Sequence, residues 1–97
     1  MGAQMELTNK VIAVVGGATG IGKATAEICA ARGATVYVLD YNAADGAATA
    51  GAIKATFIQV NVTDEASVAA AFAQIGASSG HLDGLVQTAG ILKGAFL

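Results

Sequence analysis

Apolar runs at four places along the chain predict four buried strands. The runs are rich in β-branched and aromatic residues and are bounded by glycine or polar residues, which is typical of strands covered on both faces. They span residues 10–15, 35–39, 56–60 and 82–88.

The segment between the first two runs has the spacing of a helix. The predicted helix starts at Ile21, and Gly33 ends it, as glycine commonly does after a last helical turn. Apolar or small residues recur along its predicted inner side, namely Ile21, Ala24, Thr25, Ile28, Cys29 and Arg32.

Two further helices are predicted between the later strands. The one over residues 42–53 is marginal, because Gly46 and Gly51 each cost about 1 kcal/mol relative to alanine inside a helix. The other follows Thr63, which we expect to cap it, and its first turn is acidic, as the helix dipole favours. Its buried stripe is predicted to be Val68, Phe72 and Ile75. Strands that alternate with helices indicate an α/β fold, with a parallel sheet covered on both faces in a single domain over residues 1–97.

Composition argues against several classes of function. The net charge is −2 and the five basic residues are scattered, so no basic stripe is available for nucleic acid. Polar residues or glycine interrupt every apolar run before the roughly 18 residues of a membrane span. A single cysteine, Cys29, cannot form an internal disulfide, which favours a reducing, cytoplasmic setting. The amino terminus lacks the pattern of a secretory signal.

The connection between the first strand and the first helix is dense in glycine. Its sequence, GGATGIG, places Gly16, Gly20 and Gly22 in the spacing G-x-x-x-G-x-G instead of the usual G-x-G-x-x-G. Glycines permit a tight turn and a close approach of the backbone to a ligand, and the N–H groups at the start of the helix would face a pyrophosphate. A strand-to-helix connection without a ligand is the alternative reading.

Asp40 favours the reading with a ligand. It closes the second strand, 20 residues after Gly20, where a dinucleotide site places an acidic residue to bind the adenosine ribose. A carboxylate there repels the 2′-phosphate of NADP, and no Lys or Arg is adjacent, so NAD is the predicted cofactor. Tyr41 either flanks the adenine or is a half-exposed tyrosine at a strand end.

These residues, in this order, resemble the short-chain dehydrogenase/reductase family, whose glycine motif reads T-G-x-x-x-G-x-G. Val15 stands where the family has threonine, so a hydroxyl that anchors the turn is lost. In VNVTDEASV, Asn61 and Val62 hold the places of an Asp-Val pair that contacts adenine in the family. The stretch LVQTAGI is similar to LVNNAGI, with Gln87 and Thr88 in place of the two asparagines.

The resemblance implies a partial Rossmann sheet, doubly wound, with four strands in the order 3-2-1-4. It also implies the NAD-binding part of an oxidoreductase that interconverts alcohols and ketones. The implied cofactor contacts are Gly16, Ala18, Thr19, Gly20, Ile21 and Gly22 at the pyrophosphate, Asp40 and Tyr41 at the adenosine, Asn61 and Val62 at the adenine, and Ala89 and Gly90 near the nicotinamide ribose.

Catalytic residues are not carried over by the resemblance. Family members transfer hydride with a Ser, a Tyr and a Lys four residues after that Tyr, assisted by an Asn, all beyond the strand that carries NNAG. Neither Tyr37 nor Tyr41 has a Lys four positions later, so we expect no catalysis from this chain alone.

The alternative reading is a non-catalytic interaction or structural module, or a shortened isoform, that keeps the fold without binding NAD. The departures at Val15, Gln87 and Thr88 favour it, whereas Asp40 and the spaced glycines count against it. In either case the fourth strand would present an open apolar edge, which predicts a homo-oligomer formed through that strand.

Overall fold

The predicted alternation of strands and helices is present in the computed structural model, which describes residues 6–88. The elements are β1 (Val11–Val15), α1 (Gly20–Ala31), β2 (Thr35–Asp40), α2 (Ala43–Ile53), β3 (Thr56–Gln59), α3 (Glu65–Ser79) and β4 (Gly84–Gln87). All strand pairs are parallel, and the order is β3-β2-β1-β4. The predicted α/β class and strand order are therefore confirmed.

The centre of the sheet is β1, and its side chains alternate between two apolar clusters. Val14 pairs with Val38 of β2 on one side and with Val86 of β4 on the other. On this face the valines pack with Ala26 of α1 and Ala50 of α2.

The opposite face of the sheet is covered by α3. Ala13, Val15 and Leu39 are fully or almost fully buried there, together with Ala71 and Ile75 of the helix. Because successive strand residues point to opposite faces, the two clusters place helices on both sides of the sheet, as predicted.

The prediction of which residues α1 buries is wrong in part. Ile21 and Ile28 are 79% and 55% exposed, and the helix buries Gly22 and Ala26 instead, with Cys29 half-buried beside them. Small residues at these positions let the helix axis approach the sheet closely, which larger apolar side chains would prevent.

Capping offsets the weak composition of α2. The side-chain oxygen of Asn42 accepts from the N–H of Asp45 at 2.9 Å, so one unpaired donor of the first turn is satisfied. At the other end, the backbone N–H of Lys54, which has a φ of 59°, bonds to carbonyls of the last turn. The marginal helix over residues 42–53 is therefore formed.

The cap of α3 differs from the prediction. Asp64, and not Thr63, is the N-cap, because its carboxylate accepts from the N–H groups of Ala66 and Ser67. The Thr63 hydroxyl donates instead to the side-chain oxygen of Asn61 at 2.7 Å. The predicted stripe is present, with Ile75 buried and its two partners half-buried. No helix within residues 6–88 has the length and apolar character needed to cross a membrane.

Candidate functional site

The carboxyl ends of the four parallel strands meet at a cleft of about 490 Å³. The cleft lies beside the carboxyl end of β1, where the chain order in the sheet reverses direction, which is where doubly wound folds bind ligands. Its lining consists of Val15, Gly16, Thr19, Gly20, Ile21, Gly22, Leu39, Asp40, Tyr41, Val60, Asn61, Val62 and Thr88.

Of the ten predicted cofactor residues that the structure describes, nine line this cleft and one, Ala18, does not. Ala18 is 3% exposed and contributes no surface to it. Ala89 and Gly90 lie outside the described residues. The lining residues missing from the prediction lie within one residue of the carboxyl end of a strand; they are Val15, Leu39, Val60 and Thr88. The convergence of parallel strand ends at one edge was a usable signal for them.

The start of α1 differs from the starts of the other two helices. Thr19 is its N-cap residue, but its side chain makes no capping hydrogen bond, and the first turn contains no acidic residue. By contrast, α2 and α3 each have a capping side chain and an acidic residue in the first turn. No side chain in the described part of the protein therefore caps the first-turn N–H donors of α1, which lie at the cleft.

Two glycines are required by the geometry of this turn. Gly16 has a φ of +83°, a conformation that side chains with a Cβ rarely adopt. A Cβ on Gly22 would overlap the carbonyl oxygen of Gly16 and would lie 2.5 Å from the hydroxyl oxygen of Thr88. The first turn of α1 therefore packs directly against the backbone that leaves β1.

Asp40 has two structural partners at the rim of the cleft. One carboxylate oxygen accepts from the N–H of Ala18 at 3.1 Å, and the other accepts from the N–H of Asn42 at 3.0 Å. A carboxylate offers about four lone-pair positions, so both oxygens retain acceptor capacity for ligand hydroxyls. Asp40 therefore fastens the glycine turn and can still bind a ligand.

Tyr41, which follows β2, and Asn61, which follows β3, also line the cleft. The Tyr41 side chain is 70% exposed, while its carbonyl accepts from the Gln59 carboxamide at 3.0 Å. The Asn61 side-chain oxygen accepts from both the N–H and the hydroxyl of Thr63. That oxygen is occupied, so the NH₂ group of Asn61 is the part of this side chain best placed to serve as a donor to a ligand.

The perturbed titratable groups lie away from the cleft. A hydrogen bond from the Val11 N–H, at 2.7 Å, lowers the pKa of Asp83, and His81 at 3.0 Å adds to this effect. This pair lies at the amino end of β1, the edge of the sheet opposite the cleft. Burial raises the pKa of the Cys29 thiol, against a smaller opposite effect of Arg32. Neither group takes part in the candidate site.

Comparison with known proteins identifies the family. The sequence profile of the family described as short chain dehydrogenase matches residues 10–97. The chain belongs to the short-chain dehydrogenase family. A 2,5-dichloro-2,5-cyclohexadiene-1,4-diol dehydrogenase from Sphingobium indicum is 41% identical over 88 residues, which are 89% of this chain and 35% of that protein. The chain thus spans about a third of the length of this relative.

Solved structures of similar fold carry more than one named activity. A hydroxysteroid dehydrogenase from Escherichia coli superposes with a TM-score of 0.84 at 30% identity, covering 88% of this chain and 38% of that one. A ribose-5-phosphate isomerase from Brucella melitensis gives a TM-score of 0.85 at 34% identity, covering 90% and 34%. The fold alone therefore does not assign the reaction, which has to be argued from the site.

Proposed function

We propose that this chain is the NAD-binding part of a short-chain oxidoreductase that interconverts alcohols and ketones. The observation that carries the proposal is the position of Asp40, which lies at the rim of the cleft next to the uncapped start of α1. When NAD is bound, its nicotinamide ring accepts or donates the hydride.

The chain's own residues fit the parts of a dinucleotide. The uncapped N–H groups at the start of α1 would bind the pyrophosphate, and the absence of a Cβ on Gly22 keeps this turn close to the sheet. The remaining acceptor positions of Asp40 would bind the adenosine ribose hydroxyls. The free NH₂ of Asn61 would donate to an adenine ring nitrogen, with Tyr41 and Val62 beside it.

Charge favours NAD over NADP at this site. The cleft lining in the described part of the chain contains one carboxylate, that of Asp40, and neither lysine nor arginine. A second negative charge about 4 Å from that carboxylate costs roughly 1 to 4 kcal/mol, depending on solvation. We therefore expect NADP to bind about five- to a thousandfold more weakly than NAD.

Calorimetric titration of the purified chain with NAD and with NADP tests the proposal. Wild type should bind NAD saturably, and Asp40→Ala should weaken NAD binding while reducing the discrimination against NADP. Asp83→Ala is a matched control, because Asp83 also accepts a backbone N–H but lies at the opposite edge of the sheet. Urea unfolding of each variant shows how much chain is folded at the titration temperature.

The outcomes separate the two candidate roles. An unchanged NAD affinity in Asp83→Ala with a reduced one in Asp40→Ala supports a cofactor site at the cleft. Absence of binding up to millimolar NAD by folded wild-type chain would refute the proposal. The cleft would then be architectural, and a non-catalytic interaction module would be the better description.

We also propose that two copies of the chain associate through β4. Within residues 6–88, β4 pairs with β1 alone, so its other edge presents unpaired backbone groups, and Leu85 is 37% exposed beside it. Sedimentation of wild type at increasing concentration should show a dimer, and Leu85→Lys should reduce it, because a charge on an edge strand opposes pairing. A wild-type chain that stays monomeric at high concentration would contradict this proposal.

A further inference from the structure

The backbone of the glycine turn is held by groups from several elements. The carbonyl of Leu39, in β2, accepts from the N–H of Gly16 at 2.7 Å and from that of Gly17 at 3.4 Å. The Asp40 carboxylate accepts from the N–H of Ala18 at 3.1 Å. The N–H groups of Gly16, Gly17 and Ala18 are thus paired with β2, and several carbonyls around the same turn are paired with other elements.

One of these carbonyls is held from α2. Thr49 is 5% exposed, and its hydroxyl donates to the carbonyl oxygen of Ala18 at 2.8 Å. Thr49 does not line the cleft. A hydroxyl buried without a partner is unfavourable, so this hydrogen bond fixes both the hydroxyl and the carbonyl of the turn.

Two more carbonyls are held from the end of β4. The Thr88 hydroxyl donates to the carbonyl oxygens of Val15 at 2.8 Å and Gly16 at 3.1 Å, and the Thr88 N–H bonds to Val15 at 2.9 Å. Position 15 is a valine, which has no hydroxyl of its own to anchor the turn. The hydroxyl of Thr88 supplies such an anchor from the neighbouring strand.

We propose that Thr49 and Thr88 are positioning residues that hold the glycine turn in the conformation that binds a pyrophosphate. The proposal rests on the proposed NAD-binding function. Their donated protons are committed to carbonyls of the turn, so they act by fixing the backbone whose next N–H groups lie at the start of α1. A turn that is already ordered loses less entropy when the ligand binds, which raises affinity.

The variants Thr49→Val and Thr88→Val remove each hydroxyl at nearly constant side-chain shape. Thr49→Ser and Thr88→Ser keep the hydroxyl. Thr25→Val is the matched control, since its hydroxyl also donates to a carbonyl at 2.8 Å, but within α1. Amide hydrogen exchange at Gly17 and Ala18, measured without ligand, reports on the turn. Calorimetry with NAD and with adenosine reports on binding.

We expect both valine variants to exchange the turn amides faster than wild type. Loss of one such hydrogen bond should weaken NAD binding about two- to tenfold. Adenosine, which has no pyrophosphate, should bind as it does to wild type, whereas a general loss of folded structure would weaken both ligands. The serine variants should restore the wild-type values, and Thr25→Val should retain them.

The two proposals fail in different ways. If wild type binds NAD and the valine variants bind it equally well, the positioning role is refuted and NAD binding stands. If wild type binds no NAD, the proposed function fails, and the positioning role for pyrophosphate fails with it. In either case, if the amides of Gly17 and Ala18 exchange at the wild-type rate in both valine variants, the threonine hydroxyls do not hold the turn.

Discussion

Replacement of Gly22 by alanine tests the packing on which the cleft depends. The added Cβ would overlap the carbonyl oxygen of Gly16 and lie 2.5 Å from the Thr88 hydroxyl oxygen. The Gly16 carbonyl cannot move without a shift of the backbone. The Thr88 hydroxyl cannot move without losing its hydrogen bonds to the carbonyls of Val15 and Gly16. The substitution therefore has to separate α1 from the turn or displace Thr88.

The expected loss in the free energy of unfolding is the sum of two effects. Overpacking of a well-packed site costs roughly 1 to 3 kcal/mol. Displacement of the Thr88 hydroxyl adds about 1 kcal/mol for the hydrogen bonding lost. We therefore expect the free energy of unfolding to fall by about 2 to 4 kcal/mol, a large part of the roughly 5 to 15 kcal/mol typical of a domain.

Urea unfolding followed by circular dichroism measures the change, and Gly51→Ala is the control. Gly51 lies in α2, and a Cβ there would meet no atom within 4 Å. Alanine is favoured over glycine inside a helix, so Gly51→Ala should raise the free energy of unfolding by up to about 1 kcal/mol. Replacement of glycine by alanine should thus lower the free energy of unfolding at position 22 and raise it at position 51. A Gly22→Ala variant as stable as wild type would refute the close packing of α1 against the turn.

Three further predictions concern single side chains. The pKa of Asp83 is lower in the folded state than its ordinary value of 3.8. The ionised carboxylate therefore contributes fully to stability when the pH is above 3.8, and this contribution is lost as the pH falls below 3.8. Urea unfolding at several pH values should show a smaller acid loss for Asp83→Asn than for wild type; equal losses would contradict this. Burial raises the pKa of Cys29, so a thiol reagent near neutral pH should react more slowly with folded than with urea-unfolded chain, and equal rates would exclude protection. The carboxamide oxygen and nitrogen of Gln87 are both buried without a hydrogen-bond partner within residues 6–88. Gln87→Met should therefore raise the free energy of unfolding, measured with urea, by roughly 1 to 3 kcal/mol. A loss of stability would show that the carboxamide has hydrogen-bond partners.

The sheet was predictable because its signal is local. A buried parallel strand is a short apolar run, and four such runs separated by helical spacing leave few arrangements. Asp40 was predictable for a similar reason, since it ends one of those runs at a fixed distance from the glycine turn.

The helix surfaces were less predictable, because their packing depends on distance from the sheet. Ile21 and Ile28 have the composition of buried residues, yet Gly22 and Ala26 are buried in their place, since α1 lies close to the sheet. At α3, the choice between adjacent capping residues depended on Asn61, which engages the Thr63 hydroxyl and leaves Asp64 as the cap. Neither outcome follows from hydrophobic periodicity.

The anchoring of the turn was the least predictable feature, and it changes how the loss of a motif residue should be interpreted. Considered alone, Val15 counts against a working cofactor site, because the family's threonine is missing. In the folded chain, hydroxyls from Thr49 and Thr88 reach carbonyls of the same turn, although the two residues are 39 positions apart in sequence. These contacts exist only in the folded chain, because the parallel strands and the helix beside them bring both residues to one edge of the sheet. The absence of one motif side chain therefore carries little weight until the other donors around that turn have been counted.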